Sequence, residues 1–147
     1  MDLDFQKIFE RVTVPLSIAE PNYPNRLVYV NQAYAELTGY NTEEMIGKSP
    51  GELLKNQPYT KQREIIRERL NAFQAVDVLI RNTRKDGTEF WNGLHIHPVI
   101  ENGICIYWVA IAKDVSEFVN EINIGLEAII STVKDSFQQM SQGIESV

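Results

Sequence analysis

The sequence is poor in most of what chemistry on a protein usually requires. Its 147 residues contain one cysteine, Cys105, so an intrachain disulfide and a thiolate metal cluster are both excluded. A lone thiol also suits a reducing, cytoplasmic compartment. There are only two histidines, His95 and His97, so acid–base and metal chemistry lack their usual parts and no metal site is expected. Positive charge is scarce: 14 Lys and Arg stand against 20 Asp and Glu, a net −6, and phosphate-backbone binding by a basic face is ruled out. No apolar run approaches the ~20 residues of a membrane span. The start, Met1 to Phe5, lacks the basic segment and apolar run of a signal peptide, so no membrane contact by this segment is expected. A nucleophile elbow, a phosphate-binding glycine loop and an HExxH motif are all missing, which argues against an enzyme.

What is present is an ordinary globular balance, 44% hydrophobic and 23% charged, sized for one domain and an appendage. Phe5, Ile8, Phe9 and Val12 fall at helical spacing, with Asp2 or Asp4 as cap, and predict an amphipathic helix within residues 1–13. Strands are predicted at Leu16–Ala19 and Arg26–Val30, separated by a loop of Pro21, Asn22, Pro24 and Asn25. A helix follows from Asn31 through Leu37, ended by Gly39. Asn41 and Glu44 form a capping box for another short helix. Only short turns are expected across 48–60, and then a helix over Thr60–Phe73 with Ile65, Ile66, Leu70 and Phe73 as its buried stripe. Three strands close the core: Val76–Thr83, Glu89–Val99 and Ile104–Ala112. Asp86-Gly87 and Asn102-Gly103 are the hairpin turns. The expected class is α+β, a five-stranded antiparallel sheet with short helices on one face and a cleft between them, over residues 14–113.

Residues 114–147 differ in kind. Val119, Ile122, Leu126, Ile129, Val133, Phe137, Met140, Ile144 and Val147 recur at three- and four-residue steps, with one double-four step that reads as a stutter. Such a seam wants a partner helix, and a dimeric coiled coil is weighed here against a helix folding back on the domain. On the coiled-coil reading Ile122, Leu126, Ile129 and Val133, with Phe5, Ile8 and Phe9 of the first helix, form a homodimer interface.

Asn31-Gln32-Ala33-Tyr34, Leu37-Thr38-Gly39-Tyr40 and Glu43-Glu44-Met45-Ile46-Gly47-Lys48 resemble the central helices of PAS domains. Arg84 to Asn92, and the closing Lys113-Asp114-Val115-Ser116, are similar to the PAS sheet and its exit motif. The resemblance runs over roughly residues 5–118 and is nearest to the light-oxygen-voltage (LOV) branch, which binds flavin and forms a cysteinyl adduct under blue light. It implies the PAS fold, with a C-terminal signalling helix. It also exposes departures. Where that branch usually reads Gly-x-Asn-Cys-Arg-Phe-Leu-Gln, this chain reads Gly47-Lys48-Ser49-Pro50-Gly51-Glu52-Leu53-Leu54. Pro50 replaces the photoactive cysteine, Gly51 a phosphate-holding arginine, Leu54 a pocket glutamine, and Ala112 a final-strand glutamine. Asn82 and Asn92 match the two asparagines that bond the ring edge, and Arg63 and Arg67 lie where a second phosphate contact would come from. Adduct chemistry is excluded, and flavin stays open but disfavoured.

Strand parity sorts the remaining candidates. Asn92, Leu94 and Ile96 share one face; Trp91, Gly93, His95 and His97 share the other. If Asn92 faces the cleft, the histidines face away, which disfavours haem and favours two ring side chains on a covered outer face. Trp108, Ala110 and Ala112 take the inner face of the last strand; Cys105, Tyr107, Val109 and Ile111 take the outer. The apolar outer face calls for a cover, and the first helix, its own or a partner's, is the candidate. Asn82 and Asn92 either present amides to a planar ligand or satisfy neighbouring backbone. The candidate pocket is therefore Pro50, Leu54, Asn82, Asn92, Leu94 and Ala112. Asp114, next to Lys113, is the expected transfer point from sheet to helix, capping the helix or pairing with Lys113 or Arg84. Cys105 has no nearby base and is expected to be inert.

These readings converge on a sensory input domain of a bacterial signalling protein: a chemoreceptor (slightly favoured), a sensor histidine kinase or a diguanylate cyclase. An unidentified small-molecule ligand or redox signal and an output domain elsewhere in the full-length chain are expected. A flavin-dependent redox or light sensor without adduct chemistry is the alternative, and a ligand-free dimerisation module the third.

Overall fold

The structure, a computed structural model, describes residues 4–53 and 60–145. They fall into two compact units, Met1–Val115 and Ser116–Val147. Within the first, β1 (Leu16–Ala19), β2 (Leu27–Val30), β3 (Val76–Thr83), β4 (Glu89–Glu101) and β5 (Ile104–Asp114) form one antiparallel sheet in the order β2-β1-β5-β4-β3. Five helices accompany it: α1 (Phe5–Glu10), α2 (Gln32–Thr38), α3 (Thr42–Met45), α4 (Pro50–Leu53) and α5 (Lys61–Asn71).

Local chemistry sets most of these boundaries. Asp4 accepts from the Lys7 amide and starts α1; Asn41 accepts from the Glu44 amide and starts α3. Gly39, at φ 78°, adopts the left-handed conformation that ends α2. Asn102 and Gly103, at φ 51° and 77°, make the tight β4–β5 turn, whose two positive φ values match a primed hairpin.

Asn31 ties three elements together. Its side chain is fully buried, and its Oδ1 accepts from the amides of Leu16 (3.0 Å) and Tyr34 (3.0 Å). Its Nδ2 donates to the carbonyls of Phe9 (3.4 Å), Val12 (3.2 Å) and Val14 (2.8 Å). One amide thus caps α2, starts β1 and holds the chain leaving α1. On the inner sheet face Leu27, Val30, Ala35 and Met45 form one apolar cluster, and Val76, Ile96 and Trp108 a second, with Ala19 packed against both.

Four expectations change. Residues 50–53 are helical, not a turn, because Ser49 and Glu52 exchange bonds: Ser49 N–H to Glu52 Oε2 (2.7 Å) and Glu52 N–H to Ser49 Oγ (3.3 Å). That is a capping box with proline at the first helical position, where its missing N–H costs nothing. The α5 stripe is not a buried one. Ile66 and Leu70 are half-buried, while Ile65 and Phe73 are exposed, and Phe73 stacks on Trp108 with ring centroids 6.2 Å apart. Cys105 packs with the inner Val76–Trp108 cluster, because an irregularity between Val99 and Ile100 shifts the β4–β5 register and breaks the alternation. Finally, α1 lies beside β2, where Phe9 is 6.0 Å from the Tyr29 ring, and in the single chain Leu79, Tyr107 and Ile111 of the outer face are exposed.

The second unit is α6 (Ser116–Glu145), a helix of 30 residues. Its apolar seam is exposed at Ile122, Leu126, Ile129, Val133, Phe137 and Met140. The seam positions Ile144 and Val147 lie outside the described side chains. Among the described residues no helix is long and apolar enough to cross a membrane.

Candidate functional site

A cavity of about 270 Å³ opens between the inner sheet face and α2, α4 and α5. This lies near the lower end of the ~300–1,000 Å³ usual for small-molecule sites. Its sheet wall is Ser17, Ile80, Asn82, Phe90, Asn92, Leu94, Ile96 and Ala110 in alternating positions, with Thr83 added at the end of β3. The alternation of β3 and β4 puts these side chains inside, as parity predicts, and sends His95 and His97 to the outer face. The opposite wall carries Arg63, Ile66, Arg67 and Leu70, spaced as one helix face of α5. That explains why the α5 stripe is only half-buried: Ile66 and Leu70 pack against the Val76–Ile96–Trp108 cluster on one side and border the cavity on the other.

Asn82 and Asn92 sit opposite each other's neighbours on β3 and β4 and are both buried. Asn92 Nδ2 donates to Asn82 Oδ1 at 2.9 Å, and Asn92 Oδ1 accepts from the Lys113 amide at 3.2 Å. A primary amide has two N–H donors and one acceptor oxygen. These bonds use one donor of Asn92 and the oxygen of Asn82, so both side chains keep donors for a ligand edge. Asn92 therefore touches the cavity on one side and the last residues of β5 on the other. Elsewhere on the cavity lining, burial pushes the Tyr34 phenol up, partly offset by a bond with Ser17, and so keeps it a neutral hydroxyl.

At the far wall Arg67 lies over the Tyr23 ring, 5.3 Å from its centroid. With Arg63 it supplies positive charge to an otherwise mostly apolar pocket. The residues present fit a planar heteroaromatic with an anionic tail: amides for a polar edge, aliphatic and aromatic walls, and guanidinium groups for the tail.

Pro50, Leu94, Asn82 and Asn92 line the cavity; Leu54 lies outside the described residues. Ala112 is fully buried but does not line it; Ala110, two residues earlier on the same face, does. Cys105 is not among the lining residues. Its thiol donates to the Tyr107 carbonyl (3.4 Å), and burial pushes it up, away from the thiolate form. Sequence reading missed Ser17, Tyr34 and the Tyr23–Asn25 loop. Ser17 could have been found from the alternation of β1; the loop carries no signal of its destination.

Asp114 pairs with Arg84: the Arg84 Nη2 to Asp114 Oδ2 distance is 2.7 Å. Arg84 is fixed by three further contacts, to the Leu37 carbonyl (3.0 Å), to Thr88 Oγ1 (3.2 Å) and over the Phe90 ring at 4.5 Å. Phe90 is itself a cavity residue, so this ion pair stands one side chain from the pocket.

Comparison with known proteins agrees with this geometry. A family model described as a PAS domain matches residues 15–117. A blue-light-activated histidine kinase of Brucella anthropi is 39% identical over 114 residues, covering 76% of this chain and 23% of that protein. Among solved structures, an RNA-binding light-oxygen-voltage receptor superposes with a TM-score of 0.78 at 31% identity, covering 88% of this chain and 36% of that one. The LOV domain of the Erythrobacter litoralis EL346 blue-light activated histidine kinase does so with 0.66 at 28% identity, covering 72% and 99%. The chain spans less than half the length of the curated relatives it matches, between 23% and 42% for the first three. These relatives are named as photoreceptors and light-activated kinases and give the chemoreceptor expectation no support. The chain belongs to the PAS domain family, and its relatives lie in the LOV branch.

Proposed function

We propose that this chain is the sensory input domain of a longer signalling protein and that its cavity holds a flavin without a covalent bond to the protein. The observation that carries this reading is the buried Asn82–Asn92 pair facing a cavity whose other wall bears Arg63 and Arg67. The blue-light relatives support it, and it displaces the preference for an unidentified ligand drawn from the lost contacts at Gly51, Leu54 and Ala112. Asn82 and Asn92 would hold the ring edge, and Arg63 and Arg67 the phosphate. When bound, a flavin supplies blue-light absorption and reversible redox chemistry. Pro50, on the wall, offers no nucleophile, so the protein responds through hydrogen bonds alone.

The route out of the pocket follows from Asn92. A change in what its amide bonds to inside the cavity competes with its bond to the Lys113 amide, one residue before Asp114. The Arg84–Asp114 pair then sets the strand end that leads into α6. The exposed seam of α6 supports a homodimer through Ile122, Leu126, Ile129 and Val133 as the carrier of the signal; Phe5 and Ile8, also exposed, would be a separate dimer contact on the first unit.

Incubating the chain with flavin mononucleotide and with riboflavin, followed by desalting and fluorescence, tests the assignment. The expected result is retention of both, with the mononucleotide held more tightly, and a loss of that preference in Arg67→Ala. A chain that retains neither flavin from excess sinks the reading. In the full-length protein Asp114→Ala should leave flavin uptake intact and uncouple it from output.

A further inference from the structure

The two histidines that the cavity does not use meet a carboxylate on the opposite sheet face. Asp77 on β3 is the cross-strand partner of His95 on β4, and His97 follows two residues along the same face. Asp77 Oδ1 lies 2.5 Å from His95 Nδ1 and 3.8 Å from His97 Nε2, and one ligand atom from each residue lies within 4.8 Å of the others. A surface hydrogen bond accounts for Asp77 and His95. It gives no reason for the His97 ring to turn a nitrogen toward the same oxygen.

We propose that Asp77, His95 and His97 form a binding site for a borderline divalent transition ion of the zinc class. Two imidazoles and one carboxylate are donors suited to zinc or nickel and poorly suited to magnesium or calcium, which take oxygen sets. Bonds of ~2.0–2.2 Å in a tetrahedron place donors about 3.3–3.6 Å apart. The observed separations bracket that value, so small side-chain rotations complete the set without moving backbone. Sheet register fixes the spacing: direct opposition brings Asp77 to His95, and the diagonal brings it to His97. On the β5 side the neighbours of His95 and His97 are Ile111 and Val109, which carry no competing donor. Three protein ligands leave a position open to water or to a group from another molecule.

The site backs onto the cavity. Leu94 and Ile96, which alternate with His95 and His97 along β4, line the pocket from the other side. A bound ion would stiffen the β3–β4 pair that carries Asn82 and Asn92, which gives the site a regulatory use independent of which ligand the cavity takes.

Calorimetric titration of the tag-free chain with zinc chloride, in a buffer that does not chelate, tests this. The expected result is one ion per chain, no saturable heat with magnesium chloride, and unchanged binding in Cys105→Ser. Loss of outer-shell partners alone costs ~10–100-fold in metal affinity, so His95→Ala, His97→Ala and Asp77→Asn should each weaken binding by about tenfold or more. All three side chains are more than half exposed, so these variants keep the fold, and circular dichroism verifies it. Absence of saturable zinc binding, or variants that bind as the parent does, overturns the proposal.

Discussion

Truncating Asn82 and Asn92 singly and together tests the bond network at the base of the cavity. The two side chains are the same size and almost equally buried, at 8% and 7% exposure, so the cost of removing the atoms cancels when Asn82→Ala is compared with Asn92→Ala. What differs is bonding. Asn82 loses only its bond with Asn92, whereas Asn92 loses that bond and the one to the Lys113 amide. With a net worth of about 1 kcal/mol per hydrogen bond, Asn92→Ala should cost about 1 kcal/mol more than Asn82→Ala. The double variant should cost about 1 kcal/mol less than the sum of the singles, because both remove the same shared bond. Urea unfolding at fixed protein concentration, followed by tryptophan fluorescence from the buried Trp108, reads this directly. For a denaturant slope of ~1–3 kcal/mol/M, the single-variant midpoints should separate by roughly 0.3–1 M. Equal midpoints, or strict additivity, would refute the argument that Asn92 bridges the pocket and the end of β5.

Asn31→Ala removes five bonds from a fully buried amide and should cost about 3–5 kcal/mol; a loss under about 1 kcal/mol in the same unfolding assay would contradict the clamp. Pro50→Cys places a thiol on the cavity wall, and the flavin-loaded variant should show reversible bleaching of its visible band in blue light, absent from the parent; a light-inert variant would mean that the wall at 50 does not face the ring. Glu44, Glu52 and Asp86 are held below the ordinary carboxylate range, by Lys85, by the Ser49 amide and by the Thr88 hydroxyl respectively. Because their folded values are depressed, their stabilisation is present above that range and lost as pH falls through the folded values. Melting temperature should therefore drop in acid, modestly for such exposed groups and less in Glu44→Gln; a flat acid profile would refute it.

The parts of the fold readable from sequence are those fixed by neighbours along the chain. Asp86-Gly87 and Asn102-Gly103 announce their turns, and alternation along β4 sends Asn92 inward and His95 outward, as found. For Asp114 the sequence offered a helix cap or a pair with Lys113 or Arg84, and the structure shows the Arg84 pair. What resisted reading depends on distant partners. Cys105 changes face because of a register shift that no local pattern marks. The Ile66 and Leu70 stripe has core spacing and does pack against the Val76–Trp108 cluster, yet it also borders a cavity, which periodicity cannot distinguish from side chains. The capping box at Ser49 and Glu52 was legible in principle, but Pro50 and Gly51 masked it as a turn.

The pairing of β5 has a mechanical consequence. From Trp108 to Ile111 the strand is gripped on both edges, by β1 and by β4, and the Ala112 amide still bonds to the Pro15 carbonyl. Beyond that point the β1 pairing ends, and the backbone of Lys113 and Asp114 pairs with Gly93 and Asn92 of β4, with Arg84 on the Asp114 carboxylate. The strand is thus held on both edges at its middle and by one strand at its tip. Deflection concentrates at such a tip, so a load applied through Asn92 bends the exit without disturbing the rest of the sheet.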